Sequence, residues 1–146
     1  MKTNTIINAH FRLDNPVYLP GKKPFIGIIG ANTQWLFVRE NIVSLTISAA
    51  GKLVNEPNWK LASLLWGEVH AIVQKPSDRL PPWRIIKERR ATFAQIPSQI
   101  TIRPGTRTQF KNLFLAGDAT DTGLPASIEG SVVSGLKAAK EAIRNP

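Results

Sequence analysis

Hydrophobic and polar residues alternate over residues 7–13, with Ile7, Ala9, Phe11 and Leu13 on one face and Asn8, His10 and Arg12 on the other. That is the period of a half-buried β-strand. Asn15-Pro16 and Leu19-Pro20-Gly21 break it and mark turns. Apolar runs at residues 25–29 and 34–39 predict two more short strands, with a turn at Ala31-Asn32 between them. Glu40-Asn41 then turns the chain into residues 42–50, where Val43, Leu45, Ile47 and Ala49 share one face and Ser44, Thr46 and Ser48 the other. Three strands joined by connections this short predict an antiparallel meander.

The period then lengthens. Leu61, Leu65, Val69 and Ile72 fall on one stripe of a helix predicted over residues 57–74, with Asn55 as N-cap and Pro57 in the first turn. Trp59 and Trp66 are expected to extend its buried face. Residues 74–82 read as a linker ending in Pro81-Pro82, and residues 84–93 as a strand whose strongly apolar pair is Ile85 and Ile86. Residues 94–108 hold two prolines and a glycine and predict irregular chain. The apolar run 113–116 predicts a strand, and residues 125–144 a helix with Ile128, Val132, Leu136, Ala139 and Ile143 as its core face. No internal repeat or low-complexity tract interrupts this α+β pattern of a meander with packed helices and a closing strand-loop-helix.

Composition narrows the options. A chain of 146 residues is one domain or a piece of one, and 42% hydrophobic against 20% charged residues excludes a disordered chain. With no cysteine, disulfides, thiolate catalysis and cysteine metal sites are excluded. His10 and His70 stand in unrelated segments and read as structural or surface residues, so no metal site is expected. No apolar run approaches the ~20 residues of a membrane span, and the N-terminus lacks the layout of a signal peptide. A soluble cytoplasmic protein, or one peripheral on the inner face of the membrane, is the expectation.

The net charge of +9 concentrates in Arg79, Arg84, Lys87, Arg89, Arg90, Arg103, Arg107 and Lys111. These predict a solvated basic face, or a surface that meets anionic lipid or a diphosphate-bearing lipid precursor. Nucleic acid is the remote alternative, since no recognition motif or interleaved aromatic platform accompanies the charge.

Residues 112–135, NLFLAGDATDTGLPASIEGSVVSG, carry the chemistry. A strand that delivers Asp118 to its tip, followed by a helix N-terminus, suits a sugar hydroxyl and an electron-rich ring held together. The helix is lined by Gly130, Ser131, Ser134, Gly135, Ala138 and Ala142. A glycine inside a helix costs about 1 kcal/mol relative to alanine. The small residues therefore predict a close neighbour, either another helix or a cofactor crossing the helix start. Pro125 near the first turn and free N–H groups at Ser127 and Ile128 favour the cofactor, because such an end stabilises partial negative charge.

NLFLAGD followed by TGLPASIEG and a small-residue helix resembles the C-terminal signature of FAD-dependent oxidoreductases of the amine oxidase and phytoene desaturase superfamily. INAHFRL, QWLFVRE with VSLTISAA, and KERRATFAQIPSQ resemble, in the same order, the squalene-associated FAD-dependent desaturases, the hydroxysqualene dehydroxylase branch. The resemblance implies that residues 111–146 are the closing strand-loop-helix of a Rossmann-like FAD-binding domain and residues 1–110 part of a substrate-binding domain. It implies that Asp118 accepts hydrogen bonds from the ribityl or pyrophosphate region of FAD and that Gly117 admits a close backbone approach. Gly123, Leu124, Pro125 and Ala126 would pass by the isoalloxazine, and Ser127 and Ile128 would offer N–H groups to its pyrimidine edge. Glu129 reads as a first-turn carboxylate or a cofactor contact, and Asp121 as a turn residue. Ala119 departs from the aromatic residue that relatives carry after the Gly-Asp pair. The implied chemistry is hydride transfer between flavin and a long isoprenoid, in this branch the conversion of hydroxysqualene to squalene. No side chain stands out as general acid.

No three of the ten glycines form the G-x-G-x-x-G turn that binds the ADP half of FAD. Nor is there a Walker A loop, an H-E-x-x-H helix or a G-x-S-x-G elbow. The chain therefore reads as the last third of such an enzyme, completed by a separately encoded N-terminal half or truncated from a longer gene. The competing reading is a non-catalytic remnant or module that binds lipid or a partner through its basic face.

Overall fold

A computed structural model describes residues 1–73 and 79–144; residues 74–78, most of the expected linker, lie outside the described residues. Five strands, β1 (Thr3–Arg12), β2 (Phe25–Gly27), β3 (Trp35–Arg39), β4 (Ile42–Ile47) and β5 (Trp83–Phe93), form one sheet in the order β2-β3-β4-β1-β5. The ladders β2–β3, β3–β4 and β1–β4 are antiparallel, so β2, β3 and β4 are the expected meander. Among the described residues, three α-helices, α1 (Asn58–Ile72), α2 (Pro97–Ile100) and α3 (Ile128–Arg144), complete an α+β fold. The chain divides into two compact units: Asn4–Arg89, and Met1–Thr3 with Arg90–Pro146.

The sheet unit is built by its two-residue period. Ile7 lies opposite Ile47, Ala9 opposite Leu45 and Phe11 opposite Val43, so all six turn to one face and are buried. The α1 stripe Leu61, Leu65 and Val69, with Trp66, joins them in one core, and the rings of Phe11 and Trp66 stand 5.1 Å apart. Each buried Val, Leu, Ile or Phe among them contributes about 1.5–3 kcal/mol. On the opposite face the cross-strand pairs Asn8–Thr46 and His10–Ser44 are each hydrogen-bonded at 2.8 Å, which engages His10 within the sheet. In the C-terminal half of α1, Glu68 accepts hydrogen bonds from Asn32 N (3.0 Å), Asn32 Nδ2 (2.8 Å) and Thr33 N (3.1 Å), tying the β2–β3 connection to the helix. Burial alone would raise the Glu68 carboxyl, but hydrogen bonds from Thr33 and Asn32 outweigh it and hold the group below its ordinary value.

Several local expectations are corrected. The strand predicted over residues 42–50 ends at Ile47, because Ala49 adopts a left-handed φ of 51°. Asn55 is not the N-cap of α1; Pro57 occupies that place, and the preceding residues form a turn closed by Glu56 N on Leu53 O at 3.0 Å. The Asn55 side chain instead accepts from Arg89 at 3.2 Å. Trp59 is 65% exposed, since it lies two residues from Leu61 and so on the far side of the helix. No helix among the described residues is long and apolar enough to cross a membrane.

In the second unit, α2 interrupts the stretch expected to be irregular. Its buried Gln99 accepts from Lys2 N at 2.6 Å, and Ala94 N donates to Lys2 O at 2.8 Å. The strand expected at residues 113–116 does not form. One bridge, Arg107 with Phe114, and one bond, Leu115 N to Thr106 O at 2.8 Å, are too few for a ladder. The final helix starts at Ile128 instead of residue 125, leaving Pro125 outside the first turn. Its expected core face is outward: Ile128 is 86% exposed, Val132 53%, Leu136 69% and Ile143 81%, and Ala139 is exposed with them. Gly130 and Ser134, on the other side of α3, are its buried residues. No described element covers the apolar stripe.

Candidate functional site

The loop from Gly117 into α3 is fixed from both ends. Gly117 takes φ +140°, and its N–H donates to the Oγ of fully buried Ser134 at 2.6 Å. Gly123 takes φ +78° and donates its N–H to Asp121 Oδ1 at 3.1 Å, so Asp121 is a turn residue. A Cβ built at either glycine meets nothing within 4 Å; dihedral freedom, not crowding, selects glycine there. Leu124 N donates to Thr122 Oγ1 at 3.3 Å. Pro125 and the half-buried Ala126 then lead into Ser127, the N-cap of α3, whose Oγ accepts from Gly130 N at 3.1 Å.

The small residues of α3 serve its own loop. A Cβ at Gly130 would lie 2.8 Å from the Pro125 carbonyl oxygen, whereas Gly135 has nothing within 4 Å. The close neighbour expected from the sequence is therefore, at Gly130, the backbone that precedes the helix.

The residue that sequence reasoning missed is Arg103. Counted among the basic face, it is instead turned inward, with its side chain 5% exposed. Its guanidinium donates to the carbonyls of Thr120 (2.6 Å), Leu124 (2.8 Å), Asp118 (3.2 Å) and Ala119 (3.3 Å). It also lies 4.7 Å from the centre of the Phe93 ring and 3.7 Å from the Asp121 carboxylate. A planar fork with five donors suits several carbonyls of one curved loop, which a lysine does not match. No periodicity or motif distinguishes this arginine from its basic neighbours. Arg107, by contrast, stays on the surface, where it pairs with Glu141 of α3 at 2.6 Å.

The arrangement leaves a particular set of groups free. The N–H groups of Ser127, Ile128 and Glu129 have no acceptor among the described residues, and the half-buried Asp118 carboxylate has no donor there. Exposed Glu129 sits in the first turn, where a carboxylate favours the helix. N–H donors at a helix start attract a partially negative group, and a carboxylate nearby accepts from hydroxyls. Among the described residues no cluster of His, Asp and Glu is placed to hold a metal ion. A separate cavity of about 520 Å³, lined by Arg107, Gln109, Phe110 and Phe114 among others, contains none of the loop residues.

Comparison with known proteins puts this loop in context. The chain matches the sequence model of the family described as "Flavin containing amine oxidoreductase" over residues 2–143. It is 52% identical over 134 residues to a hydroxysqualene dehydroxylase of Rhodopseudomonas palustris, covering 92% of this chain and 31% of that protein. Namesakes from Sinorhizobium fredii and Zymomonas mobilis are 47% and 37% identical, over 94% and 97% of this chain and 32% and 33% of theirs. The chain thus spans about a third of the length of the curated relatives it matches.

Proposed function

The chain belongs to the flavin containing amine oxidoreductase family, and on that premise we propose that it is the ring-closing third of an FAD-dependent oxidoreductase acting on a long isoprenoid. By the names of its relatives, the reaction is the dehydroxylation of hydroxysqualene. The chain spans 31–33% of its relatives' length, and the dinucleotide-binding turn of such an enzyme falls in the remaining two thirds. In this reading residues 111–146 belong to the FAD-binding domain and residues 1–110 to the substrate-binding domain.

The observation that carries the reading is the loop pinned by Arg103 and Ser134, which leaves the N–H groups of residues 127–129 and the Asp118 carboxylate without partners. These groups fit a flavin: the ribityl chain has hydroxyls to donate, and the pyrimidine edge has acceptors. Asp118 would take the ribityl or pyrophosphate region, and Gly117, open where a side chain would stand, would admit it closely. Gly123, Leu124, Pro125 and Ala126 would pass by the ring, and Ser127 and Ile128 would donate to its pyrimidine edge. Glu129, exposed in the first turn, would act chiefly on the helix. When bound, FAD supplies hydride transfer to the carbon that loses its hydroxyl. Arg103 would hold the loop in shape without touching the reacting atoms.

The test is a visible spectrum of the purified chain, alone and co-expressed with the remaining segment of the Rhodopseudomonas palustris relative. A bound flavin band, weakened about tenfold or more in occupancy by Asp118→Ala, is expected with the partner present. Colourless protein under both conditions would overturn the proposal and leave a non-catalytic module.

A further inference from the structure

We propose that His10 binds the substrate's hydroxyl and donates the proton with which it leaves. This rests on the reading above that the reaction is a dehydroxylation. β1 and β4 turn Ile7, Ala9 and Phe11 with their partners into the core, so Asn8, His10, Ser44 and Thr46 lie on the opposite face of the sheet. β3 adds Trp35 beside Thr46 and Phe37 beside Ser44, and β2 adds Phe25 beside Phe37. One row across this face therefore reads Phe25, Phe37, Ser44, His10, and the next reads Gly27, Trp35, Thr46, Asn8. Neither row contains a carboxylate, a lysine or an arginine.

The two ends of these rows differ in character. At one end the rings of Phe25, Trp35 and Phe37 are 41–49% exposed, with centres 5.7 Å apart for Phe25–Phe37 and 6.0 Å for Phe25–Trp35. Three contiguous exposed rings suit an apolar chain. At the other end, two strand spacings or about 10 Å from Phe37, stands half-buried His10. Its Nδ1 is held by Ser44 Oγ at 2.8 Å, and its Nε2 has no partner among the described residues. Ser44 thus fixes the ring and leaves one nitrogen to meet a ligand. Asn8 and Thr46 satisfy each other at 2.8 Å, so His10 is the ionisable group of the two rows. A long hydrocarbon bearing one hydroxyl matches this layout, its chain on the rings and its oxygen at the imidazole. In the assigned step the imidazolium Nε2–H gives its proton to the hydroxyl oxygen as the C–O bond breaks, and water departs with the bonding pair. The carbon is reduced by hydride, with its electron pair, from reduced FAD, which is left oxidised. The imidazole regains its proton from water.

The experiment has two arms. In the first, this chain replaces the matched third of the Rhodopseudomonas palustris relative in a full-length chimera, and squalene formed from hydroxysqualene is followed with dithionite as reductant. His10→Gln should lower turnover about a hundredfold or more while the bound flavin band stays unchanged. Ser44→Ala, which frees the ring, should lower turnover about tenfold. Far-UV circular dichroism checks that the sheet survives each substitution. The second arm needs no turnover. The chain has two histidines, and in its imidazole NMR spectrum the His10 signals should move with hydroxysqualene in detergent micelles and stay in place with squalene. Turnover of the His10→Gln chimera within about threefold of the parent overturns the proposal and leaves the flavin site standing. So does a His10 signal that answers both lipids alike or neither. A colourless chimera removes the FAD reading instead, and the NMR arm then keeps or sinks the hydroxyl contact by itself.

Discussion

Arg103→Ala is expected to release the loop from Asp118 to Leu124. The guanidinium holds four carbonyls of that loop, two of them at 2.6 and 2.8 Å. A hydrogen bond from a charged donor contributes about 1.5–3 kcal/mol. Carbonyls freed near the surface recover part of this from water, so only the two short bonds are counted, giving about 3–6 kcal/mol before that recovery. Stacking on Phe93 adds about 1 kcal/mol. Taking about 4 kcal/mol as the net loss, local opening becomes roughly a thousandfold more frequent. The reporters are the amides of Thr120 and Asp121, which donate to Gly117 O at 3.1 Å and Pro104 O at 2.8 Å and should exchange correspondingly faster with deuterium. Arg103→Lys keeps the charge but not the fork, and should recover about one bond, leaving exchange roughly ten- to a hundredfold faster than in the native chain. If Ala accelerates exchange less than about tenfold, or Lys matches Arg, the loop is held by something else.

Two glycines of α3 should respond in opposite directions. Gly130→Ala forces a Cβ against the Pro125 carbonyl and should lower stability by about 1–3 kcal/mol, whereas Gly135→Ala meets open space and should raise it by about 1 kcal/mol in urea unfolding. Equal signs would discredit the reading of Gly130. Ser134→Ala strips the half-buried Gly117 N–H of its buried acceptor and should cost about 1–3 kcal/mol; a neutral result would mean that water replaces the hydroxyl. Glu68→Gln should cost about 1 kcal/mol near pH 7 through weaker bonds to Asn32 and Thr33. The folded Glu68 carboxyl lies below its ordinary value of 4.5, so its contribution is complete above that value and fades as pH falls through the folded one. The difference between Glu68→Gln and the native chain should therefore shrink as pH falls below the ordinary carboxylate value, and a gap independent of pH would refute the assignment.

The sheet was legible because strand period and burial coincide in β1 and β4, where alternate residues meet their partners in register. The α1 stripe was legible for the same reason, with a period of 3.6 in place of two. The α3 pattern was read equally well as a pattern and wrongly as a place: its apolar row identifies a face that prefers burial, while Gly130 and Ser134 make the contacts within this chain. Residues 113–116 failed as a strand because strand propensity is realised only beside a neighbour. Arg103 was invisible for a different reason. Its role comes from carbonyls that carry no side-chain signature, so a surface cation and a loop-organising one look alike in sequence.

The reach of Arg103 also sets what is portable. The residues that shape the loop at 117–129 begin well before it: Phe93 stacks on Arg103, and α2, anchored by Gln99 to Lys2, leads the chain to it. A graft or truncation that starts at residue 111 would carry the recognisable motif and leave behind its buckle. Transplanting the loop between homologues therefore calls for residues 90–144 together, and chimeras cut immediately upstream of the motif should give a helix with an unshaped loop in front of it.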